Sequence, residues 1–228
     1  MARKARTSST QKVVSISQQG QLGRAGQPSK AGRQSLRIIG GDWRGRKIPF
    51  TTVAGLRPTQ DRVRETLFNW IAAPIVRANC LDLCAGTGAL GLEALSRGAK
   101  GVTFVDLSSV ATNVLKDNLK LLALGDDQNS TVEQMSGFEW LRRYTAQASL
   151  LEATETAKRF DLVFLDPPFA LNLMQDLIDA LHASGCLANN ASIYVEQASA
   201  LADLTLPAQW KLHRNKKAGQ VHYGLISC

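Results

Sequence analysis

The sequence predicts an open α/β fold, in which helices cover both faces of a mostly parallel sheet. Short apolar runs with the length of buried parallel strands occur at 80–84, 102–106 and 162–165. Helical patterns alternate with these runs, at 88–97, 108–124 and 171–183. The last segment, Trp210 to Ser227, turns at Ala218 and Gly219, which predicts a C-terminal antiparallel hairpin.

Further elements are predicted before and within the sheet. Leu36–Ile39 and Arg46–Pro49 flank a turn-prone stretch around Gly40, which predicts a small hairpin. Thr59 is expected to cap a helix, since apolar residues follow at helical spacing, at Val63, Leu67, Trp70 and Ile71. Thr131–Glu133 is a weaker strand candidate, and another apolar run, Ile193–Val195, precedes Glu196.

Length and composition exclude several classes of protein. The chain has 228 residues, 44% hydrophobic and 20% charged, which fits one globular domain. No apolar run reaches the ~18–20 residues of a membrane helix, and none follows the basic N-terminus as in a secretory signal. The four cysteines and three histidines complete no disulfide framework or metal-ligand pattern. We therefore expect a cytoplasmic protein with reduced thiols and no metal site, and nothing in the sequence demands more than a monomer.

The net charge of +8 is unevenly distributed. Residues 1–35 carry seven basic residues and no acid among Ser, Gln and Gly, so we expect a disordered basic tail. We interpret residues 36–78 as an N-terminal hairpin and helix extension and residues 79–228 as the core. The core is acidic up to residue 210, and the segment from Lys211 onward has four basic residues and no acid. Basic margins around an acidic core favour a polyanionic partner, and solvated lysines that maintain solubility are the alternative.

A glycine-rich loop joins the first predicted strand to its helix. Gly86, Gly88 and Gly91 satisfy the spacing GxGxxG, and Asp106 lies twenty residues beyond Gly86 at the end of the next strand. Glycines let the backbone approach a ligand closely, and a carboxylate at a strand end accepts hydrogen bonds from ribose hydroxyls. The pattern is typical of sites for NAD or for S-adenosylmethionine, and glycines that only permit a tight turn are the structural alternative.

Asp82 distinguishes between these two ligands. It lies within the first predicted strand, four residues before Gly86, where a buried carboxylate needs a partner. The cationic amino-acid end of S-adenosylmethionine would supply that partner, whereas a pyrophosphate would be repelled. The lack of a second substrate domain also argues against a dehydrogenase. The sequence therefore favours S-adenosylmethionine.

A second motif, Asp166-Pro167-Pro168-Phe169, follows the apolar run at 162–165, at the sheet edge where ligands bind. The prolines remove two N–H donors, which leaves backbone carbonyls and the Asp166 carboxylate as acceptors. Acceptors suit the exocyclic amine of a nucleobase, because hydrogen bonds from the amine would localise its lone pair and direct it at a sulfonium methyl. Phe169 offers a face on which an extruded base can stack. The alternatives are a helix cap at Asp166 and a core position for Phe169.

Two N-terminal segments identify a family. Arg37–Arg46 (RIIGGDWRGR) and Gly55–Trp70 (GLRPTQDRVRETLFNW) resemble the opening of the bacterial RsmD family, the 16S rRNA (guanine-966-N2)-methyltransferases. Ala218–Val221 resembles the closing hairpin of that family. The resemblance covers about residues 36–227, and the Arg-Pro-Thr segment that ends at Thr59 is its most specific part.

The resemblance implies a Rossmann-like class I methyltransferase with a seven-stranded sheet. It implies S-adenosylmethionine as cofactor and, as partner, 16S rRNA in the small (30S) ribosomal subunit or its assembly intermediate. The residues that would hold the target guanine are Asp166, Pro167, Pro168 and Phe169. Those that would bind the cofactor are Asp82, Ala85, Gly86, Gly88, Asp106, Leu107, Ser136 and Thr59, with Ser136 at a position where relatives tend to have Asn. Those expected to bind RNA are Arg44, Arg46, Lys47, Arg57, Arg62, Arg64, Lys216 and Lys217.

Two other functions are consistent with these residues. Because Asp/Asn-Pro-Pro-aromatic motifs serve amines generally, one is an amino-group methyltransferase that acts on DNA or protein. The other is a non-catalytic ribosome-assembly factor that binds rRNA through its basic residues. The complete set of Asp82, Gly86, Gly88, Asp106 and Asp166 argues against the second.

Overall fold

The computed structural model describes residues 34–50, 59–122, 128–150 and 157–228. Its N-terminal elements are β1 (Gln34–Arg37), β2 (Lys47–Phe50) and α1 (Asp61–Trp70). The next elements are β3 (Asn79–Asp82), α2 (Ala89–Ser96), β4 (Gly101–Asp106), α3 (Ser109–Leu122), β5 (Asn129–Gln134) and α4 (Gly137–Ala148). The last elements are β6 (Phe160–Leu165), α5 (Met174–Ser184), β7 (Leu187–Gln197), β8 (Lys211–Ala218) and β9 (Val221–Ser227).

Seven strands form one sheet in the order β5-β4-β3-β6-β7-β9-β8. The first five of these run parallel, and β9 pairs antiparallel with both β7 and β8. This confirms the predicted α/β fold with its C-terminal hairpin. Strand order reverses between β3 and β6, so the crevice outside their carboxyl ends is the place where such a sheet binds ligands.

Element boundaries differ from the sequence prediction in a few places. The first sheet strand ends at Asp82 rather than at residue 84, because the chain already turns at Leu83 and Cys84. The weak candidate at Thr131–Glu133 is part of β5, and Ile193–Val195 is part of the eleven-residue β7. Helix α4 was not predicted; only Gly137 and Leu141 are buried within it, and Trp140 and Tyr144 pack partly buried against the core.

Strands β1 and β2 form the predicted N-terminal hairpin, which packs on the sheet. Leu36, Ile38 and Ile48 belong to the same apolar core as α1, α2 and β3. Gln34 and Ser35, which were assigned to the basic tail, open β1 instead, and the rest of that predicted tail lies outside the described residues. Among the described residues, no helix is both long and apolar enough to cross a membrane.

The structure corrects the sequence assignment of Arg64. It was expected to bind RNA, but its side chain is completely buried under the hairpin. Its Nη2 donates hydrogen bonds to the Arg37 carbonyl at 2.9 Å and to Asp61 Oδ1 at 2.6 Å, and its Nη1 lies 3.6 Å from Glu93 Oε2. Glu93 Oε2 and Oε1 also accept the N–H groups of Ile39 and Gly40, both at 2.8 Å. Arg64 therefore joins the hairpin to helices α1 and α2.

Candidate active site

Acidic side chains lie at the carboxyl ends of four neighbouring strands, β4, β3, β6 and β7. They are Asp106, Asp82, Asp166 and Glu196. Asp82 pairs in register with Phe104 and with Phe164, and the side chains of a strand alternate between faces. Asp106 and Asp166 each lie two residues beyond one of those phenylalanines, so they share the face of Asp82. The switch point of the sheet is therefore bordered by a row of carboxyl groups.

Asp106 anchors the glycine loop. Its Oδ2 accepts a hydrogen bond from the Gly86 N–H and its Oδ1 accepts one from the Ser108 N–H, both at 2.8 Å. Each carboxylate oxygen has a second lone pair, which is available to a ribose hydroxyl. The neighbouring Leu107 is 72% exposed and presents an apolar side chain at the same edge. These positions fit the predicted ribose end of a nucleoside site.

At two positions of the loop, glycine is favoured for steric reasons. Gly88 precedes α2 with a φ of 77°, in the left-handed region that glycine tolerates best. A Cβ at Gly91 would collide with the Phe104 ring, so glycine is needed for α2 to lie close against β4. Ala85 is buried beside them, and its N–H donates to the Val105 carbonyl at 3.0 Å. The loop is thus held close to the sheet, with Asp82 beneath it.

Asp82 is a buried acid without a cationic partner in the described part of the chain. Its side chain is 2% exposed, and its Oδ2 accepts a hydrogen bond from the Gly91 N–H at 3.2 Å. Burial, helped by repulsion from Asp106, raises the pKa of Asp82 to about 7, while the bond from Gly91 opposes the shift. Such a carboxyl group is destabilised in its charged form until a cation arrives. This is the electrostatic signature expected for a site that takes a positively charged ligand.

Thr59 has a different role from the predicted helix cap. Helix α1 has Gln60 at its N-cap, and no side chain caps it. The Thr59 hydroxyl instead donates to Asp166 Oδ2 at 3.1 Å and is itself buried. Thr59, two residues before α1, is thereby fastened to the sheet edge beside the Asp-Pro-Pro-Phe motif.

Asp166 is half-buried and lies next to Glu196, a site residue that sequence reasoning missed. Desolvation and repulsion from Glu196 hold the pKa of Asp166 well above its usual range, and the Thr59 hydrogen bond opposes this. Burial also raises the pKa of Glu196, whose Oε2 accepts the Tyr194 hydroxyl at 2.7 Å. In the sequence, one signal was present: Glu196 directly follows the apolar Ile193–Val195, so a charge stands at the carboxyl end of a buried strand.

The remaining residues of the motif form an open edge. Pro167 is buried and Pro168 is exposed, and Phe169 begins a short 3-10 turn with 38% of its surface exposed. Asp166 does not cap that turn, since no side chain does. Because Phe169 is not in the core, neither structural alternative for this motif fits.

Ser136 lies one strand beyond Asp106 at the same sheet edge. Its hydroxyl caps α4 by accepting a hydrogen bond from the Glu139 N–H at 3.1 Å. The preceding Met135 N–H donates to the Asp106 carbonyl at 3.1 Å, which ties this segment to β4. The predicted adenine contact of Ser136 stays a prediction, and the interaction seen is the helix cap.

The predicted RNA-binding residues are mostly exposed. Those with exposed side chains are Arg44, Arg46, Lys47, Arg62, Lys216 and Lys217, whereas Arg57 lies outside the described residues. Lys216 Nζ lies 5.7 Å from the centre of the Trp70 ring, which stacks on Tyr223 at 5.6 Å. Since Tyr223 pairs across the sheet with Glu196, the basic strand β8 lies two strands away from the acidic row.

The fold and the glycine loop define a Rossmann-like methyltransferase of class I. A family model described as conserved hypothetical protein 95 matches residues 36–227, and the chain belongs to this family, the RsmD family. It is 45% identical over 198 residues to the ribosomal RNA small subunit methyltransferase D of Escherichia coli (strain K12), covering 87% of this chain and 92% of that protein. The protein of the same name from Haemophilus influenzae is 44% identical, with 83% and 92% covered.

Solved structures agree with this assignment. A putative methyltransferase from Escherichia coli, yhhF, superposes with a TM-score of 0.70 at 43% identity, covering 85% of this chain and 97% of that one. SMU.776, a putative methyltransferase complexed with SAH, superposes with a TM-score of 0.57 at 17% identity, covering 76% and 50%. The second likeness shows the shared fold alone.

Proposed function

We propose that this protein transfers a methyl group from S-adenosylmethionine to the exocyclic N2 amine of a guanine in 16S rRNA, the guanine at position 966 that the family name specifies. The observation that carries the proposal is the row of acidic side chains along the switch point, with Asp82 on one side and Asp166 on the other. The names of the relatives support small-subunit rRNA as the substrate. The partner is the 30S particle or its assembly intermediate, and the protein acts as a monomer.

The residues on the β3 and β4 side fit S-adenosylmethionine. Asp82 is a buried acid with a raised pKa, which a cationic amino-acid end would stabilise in its charged form. Asp106 offers further lone pairs to a ribose, and Gly86 and Gly88, both at positive φ, give the loop a turn that glycine tolerates best. When bound, the cofactor supplies an electrophilic methyl group on a sulfonium sulfur.

The residues beyond β6 fit a planar amine substrate. The N2 lone pair of guanine is delocalised into the ring, and hydrogen bonds from the amine to Asp166 and the Pro167 carbonyl localise it. These acceptors hold the nitrogen in line with the methyl group, so positioning and electrostatics account for catalysis. Phe169 is exposed beside them and stacks on the extruded base.

The exposed basic residues fit an RNA ligand. Lysine and arginine side chains neutralise phosphates irrespective of sequence, while the edge of the sheet selects the base. Lys216 and Lys217 lie on β8, two strands away from the acidic row, and Arg62 lies in the first turn of α1, three residues after Thr59. RNA that enters the site is therefore held on its backbone close to Asp166.

The experiment compares methyl transfer to three substrates: small ribosomal subunits from cells that lack the modification, protein-free rRNA from those subunits, and duplex DNA. Label from S-adenosylmethionine is expected in small-subunit rRNA and not in DNA, and it is expected to disappear with Asp166→Ala. Label in duplex DNA or in protein would favour the broader amino-group methyltransferase. Cofactor-independent rescue of ribosome assembly by Asp166→Ala would favour the non-catalytic assembly factor.

A further inference from the structure

Glu196 is a buried acid at the site to which the reaction described above assigns no role. Its side chain is 5% exposed, and its Oε2 accepts the hydroxyl of the fully buried Tyr194 at 2.7 Å. Leu165 pairs with Val195 across parallel strands, so the next residues of the two strands, Asp166 and Glu196, are neighbours. Adjacent strands lie about 4.8 Å apart, which places the two carboxyl groups side by side.

The two carboxyl groups have different surroundings. Burial raises the pKa of Glu196, and the hydrogen bond from the Tyr194 hydroxyl at 2.7 Å opposes that shift. Burial and two negative neighbours, Glu196 and Asp82, raise the pKa of Asp166, whereas the hydrogen bond from the Thr59 hydroxyl lowers it. In the acidic row Asp166 lies between Asp82 and Glu196, whereas Glu196 ends the row, so Asp166 is the member of the pair whose affinity for a proton is increased more.

We propose that Glu196 is a positioning residue for Asp166, holding a negative charge beside it so that Asp166 takes up the proton that leaves the guanine amine. This inference rests on the proposed function. A bond forms between N2 and the methyl carbon as the carbon–sulfur bond breaks, and the sulfur keeps that electron pair. N2 then carries a positive charge until it loses a proton, whose bonding electrons stay on nitrogen. The proton passes to Asp166 and from there to water.

Other ionisable groups that face the pair do not replace Glu196. Cys84 follows β3 and Tyr194 lies on β7, and burial raises the pKa of both, so each is neutral near neutral pH. Tyr223 on β9 lies across from Glu196 in the sheet. Asp82 on β3 faces the proposed cofactor side and affects the pKa of Asp166 less than Glu196 does. The charge beside Asp166 is thus chiefly that of Glu196.

Carboxyl carbon NMR of the free, full-length protein measures the titration of Asp166 directly, with Asp166→Asn to assign its resonance. Glu196→Gln has the same shape and keeps an oxygen acceptor for Tyr194, but it carries no charge. In this variant the titration midpoint of Asp166 is expected to fall by about one pH unit or more. An unchanged midpoint in a variant with native circular dichroism would overturn the proposal.

The pH dependence of kcat gives a second readout. If Asp166 must be ionised to accept the amine, the acid limb of the profile moves to lower pH in Glu196→Gln, together with the NMR midpoint. Glu196→Asp retains the charge, and its acid limb should stay closer to that of the wild type.

Should Glu196→Gln fail to fold, Tyr194→Phe keeps the charge of Glu196 and removes one hydrogen-bond donor to it, so the Glu196 resonance should titrate at higher pH. No change in that titration would also contradict the proposal. A wild type that methylates no nucleic acid would refute the proposed function itself, whatever the titration shows.

Discussion

The guanidinium of Arg64 and the carboxylate of Glu93 are both completely buried, with Nη1 and Oε2 3.6 Å apart. Glu93 also pairs with Arg97 Nε at 2.8 Å, whose guanidinium lies over the Phe68 ring. The buried pair, together with the bonds from Glu93 to the hairpin backbone, joins three separate segments of chain. The N-terminal hairpin is thereby fixed next to the helix that begins beside Asp166.

Removing the charge of Glu93 should destabilise the fold strongly. Glu93→Gln leaves the buried Arg64 with a weaker partner, and such losses cost about 3 kcal/mol or more. The matched control is Glu139→Gln, which breaks the exposed ion pair of Glu139 with Arg143 at 2.6 Å. Exposed pairs contribute about 0–1 kcal/mol, so this control should unfold at nearly the wild-type urea concentration. Equal midpoints for the two variants in urea unfolding would contradict the account of the hairpin.

Asp82→Asn is expected to stabilise the ligand-free protein while weakening cofactor binding. The pKa of Asp82 is about 7 in the folded state against a usual value near 3.8, so the folded state binds the proton more tightly. The wild type therefore loses stability as the pH rises from about 4 to 7, and the loss is complete above that range. We expect a gain of about 1–3 kcal/mol at pH 8 that shrinks towards pH 4.

Two measurements check this prediction. Urea unfolding at pH 5 and pH 8 without ligand gives the stability difference, and calorimetric titration with S-adenosylhomocysteine gives the affinity. The wild-type affinity should rise with pH until Asp82 is ionised, whereas that of Asp82→Asn should be at least tenfold weaker and flat. A variant that binds as tightly as the wild type at pH 8 would show that Asp82 does not face the cationic end.

Phe169 should contribute to RNA methylation and not to the stability of the fold. Stacking of a base on an aromatic ring is worth about 1–3 kcal/mol, so Phe169→Ala should lower kcat/KM for RNA about tenfold to a hundredfold. Leu171→Ala, in the same 3-10 turn and 60% exposed, is the matched control and should stay close to the wild type. The cofactor affinity and the melting temperature of both variants should be unchanged. A similar loss in both would mean that the turn, rather than the ring, contributes to binding.

Salt dependence of RNA binding tests the basic surface. Lys216→Ala and Arg62→Ala should each weaken binding and reduce the slope of log K against log salt by about one. Arg143→Ala is the control, because Arg143 is exposed on α4, pairs with Glu139 at 2.6 Å and is not among the predicted RNA-binding residues. Lys216 also covers the Trp70 ring, so the melting temperature of Lys216→Ala has to be compared with that of the wild type. If all three variants kept the same slope, phosphate contacts by Lys216 and Arg62 would be excluded.

Much of the fold follows from local patterns. The buried strands β3, β4 and β6 and the glycine loop were predictable because apolar runs and glycine spacing are properties of short segments. The partners that are distant in the sequence could not be predicted in this way. The sequence does not show that Arg64 would be covered by the hairpin, or that the Thr59 hydroxyl would turn from α1 to a carboxylate more than one hundred residues away. Glu196 was missed for the same reason, since its neighbour Asp166 is brought there by strand order.

The central claim is that the edge beyond β6 presents a guanine N2 amine to the methyl donor. Small subunits from cells that lack the modification would be incubated with the protein and deuterium-labelled S-adenosylmethionine, and their 16S rRNA digested and sequenced by tandem mass spectrometry. The account predicts the label on N2 of one guanine in wild-type reactions and no label with Asp166→Ala. Label on another atom of the base, or on a ribose, would contradict the arrangement of acceptors at Asp166 and Pro167.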